Sequence, residues 1–229
     1  MLELVNRRRG LFVKLPSTEV IDVIAASGLD FAVIDLEHSQ LGESEARALV
    51  RHARAMSFPA LVRIPEPDRG AVNRLLEAGA AGIQLSTVRT VAEMRALRDA
   101  TRYAPQGARS ISLSHPEAGY GAVSLEDYLR SAEAHPALLV AQIETAETLD
   151  PLDEILAAGP DVAFLGLTDL SVDLGLDSSR VRARVDEVAA AAERAGVALG
   201  AFGLDDPRVV YQLVSSDLAL LREAVAGAA

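Results

Sequence analysis

The stretch FAVIDLEHS, residues 31–39, sets the fold class of this chain. Its first four residues form a short apolar run, and with Asp35 they predict a β-strand buried on both faces. The polar residues Glu37 and His38 follow directly, and an amphipathic helix is predicted over residues 43–56. Another apolar run, ALVR at residues 60–63, comes next. A buried strand, a helix and a second buried strand form the repeating unit of an α/β protein with a parallel sheet.

The same unit recurs on both sides of this stretch. Strands are predicted over residues 10–15, 31–35, 60–63, 82–85, 138–143, 162–165, 197–202 and 209–214, and helices over 18–27, 43–56, 69–78, 90–102, 124–134, 149–158, 181–195 and 218–225. Eight strands without a linker favour a closed (β/α)8 TIM barrel that occupies residues 1–229 as a single domain. An open, doubly wound sheet is the main alternative. Only GLDDPR, residues 203–208, separates the last two strands, so one barrel helix is expected to be missing there.

The longest irregular stretch covers residues 103–123, which are rich in Gly, Ser and Pro. It is longer than an ordinary connection between elements, and such a length is typical of a functional loop. We therefore treat it as a candidate functional loop, in which His115 faces either the pocket or water.

Composition excludes several classes of function. The formal net charge is −11, whereas nucleic-acid-binding proteins normally carry a basic face. The absence of cysteine excludes disulfides, thiolate catalysis and cysteine-ligated zinc. No apolar stretch is long enough to span a membrane, and the apolar run after residues 7–9 is too short for a signal peptide. We expect a cytoplasmic protein, and a small anionic substrate stays compatible with the charge because a local Arg or metal ion overrides the overall field.

Polar side chains recur directly after the predicted strands, where the catalytic residues of a barrel lie. They include Glu37, His38, Arg63, Ser86, Gln142, Glu144, Asp169 and Asp217. Glu144 and Asp169 end successive strands, so their carboxylates are expected to lie close together. Two unpaired carboxylates in one pocket repel each other, and a divalent cation such as Mg²⁺, Mn²⁺ or Co²⁺ removes that repulsion. The alternative is that each carboxylate only caps the following helix.

His38 and Arg63 are the other candidates for chemistry. His38 follows the most strongly predicted strand, which favours a functional role over that of a polar residue in a surface loop. Arg63 at a strand end is suited to hold a carboxylate or stabilise an enolate oxygen, or else to form an ion pair at the barrel rim. His52, within a helix, and His135, before Pro136, are expected on the surface.

Five segments, in order along nearly the whole chain, carry the motifs of one known family. They are GLFVKLPSTEVIDVIAASGLDFAVIDLEHS at residues 10–39, LVRIPE at 61–66, RLLEAGAAGIQL at 74–85, LVAQIETAETLDPLDEI at 139–155 and LGLTDLSVDLG at 165–175. The combination of D-x-E-H, V-R, Q-x-E and G-x-x-D-L-S is specific. Together the segments resemble the HpcH/HpaI aldolase family, metal-dependent class II pyruvate aldolases related to the citrate lyase β-subunit. The resemblance implies a (β/α)8 barrel, carbon–carbon lyase activity and a divalent metal.

The resemblance also implies a role for each candidate residue. The implied site consists of His38, Arg63 and Glu77 for catalysis, Arg63, Gln142, Leu167 and Thr168 for the substrate, and Glu144 and Asp169 for the metal. The metal would chelate pyruvate and polarise its carbonyl, and Arg63 would stabilise the enolate. His38 would serve as acid–base catalyst, directly or through a metal-bound water, with Glu77 orienting it. Backbone amides at Leu167 and Thr168 would hold the substrate carboxylate.

Five positions depart from the family pattern. Leu167 and Thr168 stand where the family has Pro and Ala, Ser86 stands for Pro, and Ser110 stands for Gly. Glu77 is one methylene longer than the family's Asp. The metal and base positions match while the walls of the pocket differ, so the acceptor and the reaction stay open.

The leading hypothesis is an aldolase that cleaves a 4-hydroxy-2-oxo acid into pyruvate and an aldehyde, or runs the reverse condensation through a metal-stabilised pyruvate enolate. The second is a related enzyme acting on oxaloacetate or an acyl-CoA, as citrate-synthase-like and malyl-CoA-lyase-like branches do. An acyl-CoA needs a basic groove, for which Arg102, Arg109 and residues 7–9 are the candidates. The third is a non-catalytic paralogue, motivated by the altered G-L-T-D segment and the missing helix. The implied partners are a 2-oxo acid, an aldehyde-like acceptor and further copies of the chain, because family members form trimers or hexamers and many exchange their last helix.

Overall fold

The computed structural model describes residue 4 and residues 6–228, and these form a closed barrel of eight parallel strands. The strands are β1 (Arg8–Val13), β2 (Phe31–Asp35), β3 (Ala60–Ile64), β4 (Gly82–Leu85), β5 (Leu138–Ile143), β6 (Val162–Leu165), β7 (Ala198–Phe202) and β8 (Val209–Ser216). Each strand pairs in parallel with the next along the chain, and β8 pairs with β1. The predicted TIM barrel is confirmed, and the alternative prediction of an open, doubly wound sheet is wrong.

Helices follow the strands on the outside of the barrel. They are α1 (Thr18–Ala26), α2 (Glu43–Ala55), α3 (Arg69–Ala78), α4 (Val91–Thr101), α5 (Leu125–Ala134), α6 (Leu152–Ala157), α7 (Leu167–Asp173), α8 (Ser178–Ala195) and α9 (Asp217–Gly227). The helix predicted from residue 149 begins only after Pro151, because proline fits the start of a helix and not its interior. The short helix α7 was not predicted, since seven residues carry too little periodicity to recognise. Among the described residues, none of the helices combines the length and the apolar character needed to cross a bilayer.

Local signals explain where the helices begin and end. The Thr90 side chain accepts a hydrogen bond from the backbone N–H of Glu93, whose carboxylate accepts one from the N–H of Thr90 in return. This capping box satisfies donors that the first turn of α4 leaves free. Gly79 ends α3 with a φ of 107°, a left-handed conformation that favours glycine.

The barrel interior is filled by apolar and aromatic side chains. The inner core consists of Phe12, Phe31, Val33, Leu61, Val140, Val162, Phe164, Tyr211 and Leu213. The Tyr211 ring stacks on Phe31 at a centroid distance of 4.5 Å and meets the edge of Phe164 at 5.9 Å. A second, larger core lies between the strands and the helices. The interior is therefore closed, and chemistry is confined to the carboxyl ends of the strands.

The connection between β7 and β8 contains no helix, as predicted from its length. Asp206 in this connection is 4% exposed, and its carboxylate accepts hydrogen bonds from the backbone and side chain of Arg208. Arg208 also reaches Asp186 on α8 at 2.7 Å, and Arg7 Nη2 donates to the Asp206 carbonyl at 2.6 Å. These contacts hold the connection against the neighbouring elements. Elsewhere in the barrel, a helix packed on the strands has that role.

Candidate active site

The carboxyl ends of β2 and β3 carry a buried ion pair. Asp35 and Arg63 are partners in the strand register, so their side chains lie beside each other. Arg63 Nε donates to Asp35 Oδ1 at 2.8 Å, and Nη2 donates to Oδ2 at 2.6 Å. Burial alone would raise the pKa of Asp35, but the hydrogen bonds and charge of Arg63 lower that pKa to about 2. Sequence reasoning placed Arg63 in the site but gave Asp35 no role, although the D-x-E-H motif contains it.

Asp35 also organises the turn that carries His38. The backbone N–H groups of Glu37 and His38 both donate to Asp35 Oδ1 at 3.1 Å. Lys14 Nζ lies 3.1 Å from Asp35 Oδ2 and donates to the His38 carbonyl at 3.0 Å. The end of β2, the turn after it and His38 are therefore held as one unit.

Glu37 is a second carboxylate at this strand end, and the sequence analysis gave it no specific role. Its Oε2 lies 3.2 Å from Arg63 Nη1 and 3.8 Å from His38 Nε2. Ser86, at the end of β4, donates its hydroxyl to the same oxygen at 2.6 Å. The His38 side chain is 55% exposed, so it faces the open mouth of the barrel. The Ser86 departure from the family pattern thus provides a hydrogen bond to a carboxylate that lies beside His38 and the Arg63 guanidinium.

Glu77 lies on α3 and accepts a hydrogen bond from Asn73 Nδ2 at 3.1 Å. Asn73 in turn accepts from Arg109 Nε at 2.9 Å, and the Arg109 guanidinium stacks on the Tyr103 ring. No hydrogen bond or ion pair among residues 6–228 joins Glu77 to His38. Within one chain the structure therefore does not bring these two residues together, and the orienting role of Glu77 stays a prediction.

Glu144 is a buried carboxylate at the end of β5. Thr87 donates to its Oε1 from both the backbone N–H, at 2.9 Å, and the hydroxyl, and Gln142 Nε2 donates to Oε2. Burial raises the pKa of Glu144, and the nearby charges of Glu37 and Asp169 raise it further, against the effect of the hydrogen bonds. A buried acid next to other carboxylates is a suitable partner for a cation.

The segment after β6 approaches Glu144 closely because it begins with glycine. A Cβ atom at Gly166 would lie 2.3 Å from Glu144 Oε2 and 2.6 Å from its Cβ. Asp169 follows as an exposed residue in the first turn of α7. Leu167 and Thr168 precede it in that turn, where backbone N–H groups have no acceptor within the helix.

The described residues contain no set of three or more His, Cys, Asp or Glu side chains placed to hold a metal ion. A cation bound by Glu144 and Asp169 would therefore need further oxygen ligands from water or substrate. Hard divalent cations such as Mg²⁺ are usually held in that way, by one or two carboxylates with waters and substrate oxygens. The donor chemistry therefore fits such a cation.

The long irregular stretch packs against the outside of the barrel. It contains a 3₁₀ helix, Pro116–Gly121, whose Glu117 pairs with Arg54 on α2. His115 is buried and packs edge-on against Tyr128, and its Nε2 lies 2.9 Å from the Ser112 carbonyl. Both alternatives for His115, the pocket and water, are wrong. His52, as expected, lies at the surface, where it pairs with Asp22 at 2.6 Å.

Three of the arginines considered for an acyl-CoA groove already have partners within the chain. Arg102 lies 3.9 Å from Asp161, Arg109 is stacked on Tyr103, and Arg7 is bound to the β7–β8 connection. Arg109 lies close to Arg102, because its backbone N–H donates to the Arg102 carbonyl at 2.9 Å, whereas Arg7 lies at the β7–β8 connection.

Residues 8–227 match the family HpcH/HpaI aldolase/citrate lyase. The chain belongs to this family. It is 33% identical over 199 residues to 4-hydroxy-4-methyl-2-oxoglutarate aldolase tasA of Hapsidospora irregularis. The aligned region covers 84% of this chain and 74% of that protein. It is 32% identical over 207 residues to hydroxypyruvate/pyruvate aldolase of Paraburkholderia phytofirmans, across 86% of this chain and 78% of that protein.

A solved HpcH/HpaI aldolase from Desulfitobacterium hafniense superimposes with a TM-score of 0.89 at 29% identity. The match covers 97% of this chain and 91% of that one. The family resemblance inferred from the motifs is confirmed, and this member of the HpcH/HpaI family is an aldolase-type lyase. The hypothesis of a non-catalytic paralogue is not favoured, since His38, Arg63, Glu144 and Asp169 are all present.

Proposed function

We propose that this enzyme cleaves a 4-hydroxy-2-oxo acid into pyruvate and an aldehyde, and catalyses the reverse condensation. The observation that carries the proposal is that one barrel mouth holds both a buried guanidinium, Arg63, and a buried carboxylate of raised pKa, Glu144. His38 follows a neighbouring strand and is open to substrate. The names of the two relatives, which include pyruvate and a 4-hydroxy-2-oxo acid, support the same substrate class.

The proposal includes a divalent cation, Mg²⁺, Mn²⁺ or Co²⁺, held by Glu144 and Asp169. Support comes from the raised pKa of Glu144, because a bound cation compensates the cost of a buried negative charge. Support also comes from Gly166, whose missing side chain leaves the space that the Glu144 carboxylate occupies. When bound, such a cation supplies Lewis-acid polarisation of the 2-oxo carbonyl.

Arg63 would stabilise the negative charge that develops on the 2-oxo oxygen when the carbon–carbon bond breaks. Its Nε and Nη2 are fixed by Asp35, so the guanidinium needs little reorganisation during the reaction. Nη1 points instead towards Glu37, at the mouth of the site. A donor that is fixed before the charge develops is the more effective catalyst.

His38 would remove the proton of the 4-hydroxyl group during cleavage and return it during condensation. The electrons of that O–H bond form the aldehyde carbonyl, the bond between C3 and C4 breaks, and C3 then takes up a proton to give pyruvate. The amides of Leu167 and Thr168 would hold the C1 carboxylate, and Gln142 would line the pocket. Glu77 would orient His38, as the family resemblance implies.

We also propose that the enzyme is a homo-oligomer. Helix α9 exposes Leu218, Leu220, Leu221 and Val225, and apolar side chains this close together on a short helix are typical of an interface. A neighbouring copy is the proposed cover for α9. The cytoplasmic location stays a prediction from the sequence.

The first test is pyruvate release, coupled to lactate dehydrogenase, from a panel of 4-hydroxy-2-oxo acids and from oxaloacetate. We expect release with Mg²⁺, Mn²⁺ or Co²⁺ and none with EDTA. Release that persists in EDTA would overturn the metal assignment. Pyruvate release from oxaloacetate alone would favour the hypothesis of an enzyme that acts on oxaloacetate. No pyruvate release under any condition would overturn the proposed aldolase activity.

The second test separates the metal ligands from the base. Glu144→Ala is expected to abolish Mn²⁺ binding and oxaloacetate decarboxylation, whereas His38→Ala keeps Mn²⁺ binding and loses aldol turnover. Glu147→Ala, at an exposed carboxylate in the same loop, is the matched control and leaves both unchanged. Decarboxylation retained by metal-free Glu144→Ala would contradict the assignment.

A further inference from the structure

We infer that Gln84 is a positioning residue of this aldolase, which fixes the side-chain amide of Gln142 so that Gln142 donates to Glu144. Neither motif nor family resemblance assigned Gln84 a role. The inference rests on the proposed function, because Gln142 and Glu144 are residues of the proposed substrate and metal site.

The geometry leaves the Gln142 amide one favourable orientation. Gln84 lies on β4 with no exposed surface, and Gln142 on β5 is also buried. Gln84 Nε2 donates to Gln142 Oε1 at 2.6 Å, and Gln142 Nε2 donates to Glu144 Oε2. With its carbonyl occupied by Gln84, Gln142 presents its amino group to the carboxylate. A rotated amide would instead place a carbonyl against the carboxylate and two amino groups against each other.

The Gln84 amide is oriented in turn from the opposite side of the barrel. Tyr211 on β8 is completely buried, and its hydroxyl donates to Gln84 Oε1 at 3.4 Å. The Tyr211 ring cannot move freely, because it packs between Phe31 and Phe164. The hydrogen bonds therefore form a chain with one direction of donation: Tyr211 donates to Gln84, Gln84 to Gln142, and Gln142 to Glu144.

A structural role alone explains Gln84 poorly. An apolar side chain would fill the same interior space and would need no partner, whereas a buried amide is costly unless it is hydrogen-bonded. Ser86 directly follows β4, two residues after Gln84 and on the same face, and it donates to Glu37 at the barrel mouth. Two polar side chains from this strand and its end thus donate to residues of the site, Gln84 to Gln142 and Ser86 to Glu37.

The first experiment is a double-mutant cycle. Gln84→Leu is expected to lower kcat/KM for the 2-oxo acid about tenfold, the effect of one buried hydrogen bond, and to weaken Mn²⁺ binding. Gln142→Leu lowers both quantities as well, and Gln84→Leu adds no further loss in that background, because the residues act as a unit. Gln212→Leu removes a glutamine of β8 that bonds the Leu204 carbonyl instead, and it is the matched control. Losses that multiply in the double variant would overturn the inference.

A pH profile of Gln84→Glu provides a readout that a packing role would not move. Burial raises the pKa of the introduced carboxyl, so at low pH it is neutral and its O–H can donate to Gln142 Oε1. At higher pH it ionises and can only accept, which forces the Gln142 amide to rotate. The activity of the variant relative to the wild type is expected to fall as the pH rises. A ratio that does not change with pH would overturn the inference.

The failure of the proposed function is distinguishable from the failure of this inference. If the wild type releases pyruvate and Gln84→Leu is equally active, the proposed function is supported and the positioning role of Gln84 is overturned. If the wild type releases none, the positioning is tested in crystal structures of the wild type and Gln84→Leu. A Gln142 side chain that leaves Glu144 in the variant supports the inference, and one that does not move overturns it.

Discussion

Asp35 and Arg63 form a bidentate ion pair inside the mouth of the barrel, with both side chains buried and both oxygens of Asp35 engaged. The two residues face each other because the register of β2 on β3 makes them partners. The pair fixes the guanidinium that is proposed to stabilise the enolate. One contact therefore serves both the fold and the site, and its two roles can be measured separately.

The pH dependence of stability measures the structural role of Asp35. Its pKa is about 2 in the folded protein, below the ordinary value of 3.8, so protonation favours the unfolded chain. The resulting stabilisation, about 2 kcal/mol, is present above pH 5 and is lost as the pH falls towards 2. Urea unfolding should give a difference between the wild type and Asp35→Asn that narrows from about pH 5 to pH 3. Asp205→Asn, at a fully exposed carboxylate, is the control, and a difference independent of pH for Asp35→Asn would contradict the prediction.

The close approach of Gly166 to Glu144 predicts a local effect of a small side chain. In Gly166→Ala the new methyl group would overlap Glu144 Oε2, so the carboxylate must move. We expect at least a tenfold loss of Mn²⁺ affinity and of kcat/KM in a variant that still folds, as measured by circular dichroism. Gly227→Ala, where the added methyl group meets nothing, should leave both quantities unchanged. Wild-type affinity in Gly166→Ala would remove Glu144 from the metal site.

The Ser86 hydroxyl predicts a requirement for an oxygen at this position. Ser86→Ala removes the 2.6 Å hydrogen bond to Glu37, whose carboxylate then keeps only its contacts with Arg63 and His38. We expect kcat to fall by roughly 10-fold to 100-fold, the effect of one hydrogen bond to a charged group, and Ser86→Thr to restore most of the loss. Steady-state kinetics on the preferred 2-oxo acid would measure this, with exposed Ser44→Ala as control. Equal rates for Ser86→Ala and the wild type would show that Glu37 needs no such support.

The sequence was sufficient to predict the barrel because its signals are local. The apolar run of β2, the capping box of Thr90 with Glu93 and the glycine after α3 each lie within a few residues. The missing helix between β7 and β8 was also predictable, because the length of a connection is a property of the chain alone.

The contacts within the site were harder to predict because they join distant parts of the chain. Ser86 and Glu37 are separated by 49 residues, and their contact depends on the strand register. The sequence identified Asp35 only as the last residue of a strand. Its contact with Arg63 follows from the strand register, which local patterns do not reveal. His115 lies in a loop rich in Gly, Ser and Pro, and nothing local indicated that Tyr128 would cover it. Periodicity predicts which face of an element is buried, but it does not identify the partner.

The β7–β8 connection predicts a loss of stability that is separable from catalysis. Arg208→Ala removes the side chain that joins Asp206 to Asp186, and it leaves the Asp206 carboxylate buried with a single backbone donor. We expect a loss of about 1–3 kcal/mol in the free energy of unfolding, with kcat nearly unchanged. Arg222→Ala, an exposed arginine on α9, is the control for urea unfolding. A larger effect on kcat than on stability would show that the connection reaches the active site.

The exposed apolar side chains of α9 predict that the enzyme self-associates. Leu221 is 53% exposed and Val225 is 63% exposed, and both lie on the regular helix α9. Burying them against a neighbouring copy would contribute roughly 1–3 kcal/mol for each side chain. Light scattering should therefore give a mass above that of one chain, and Leu221→Glu with Val225→Glu should lower it. Glu223→Gln, on the same helix but at an exposed carboxylate, should keep the assembly intact. A wild type that is monomeric at micromolar concentration would exclude α9 as an interface between copies, whereas a double variant of unchanged mass would place the interface elsewhere on the barrel.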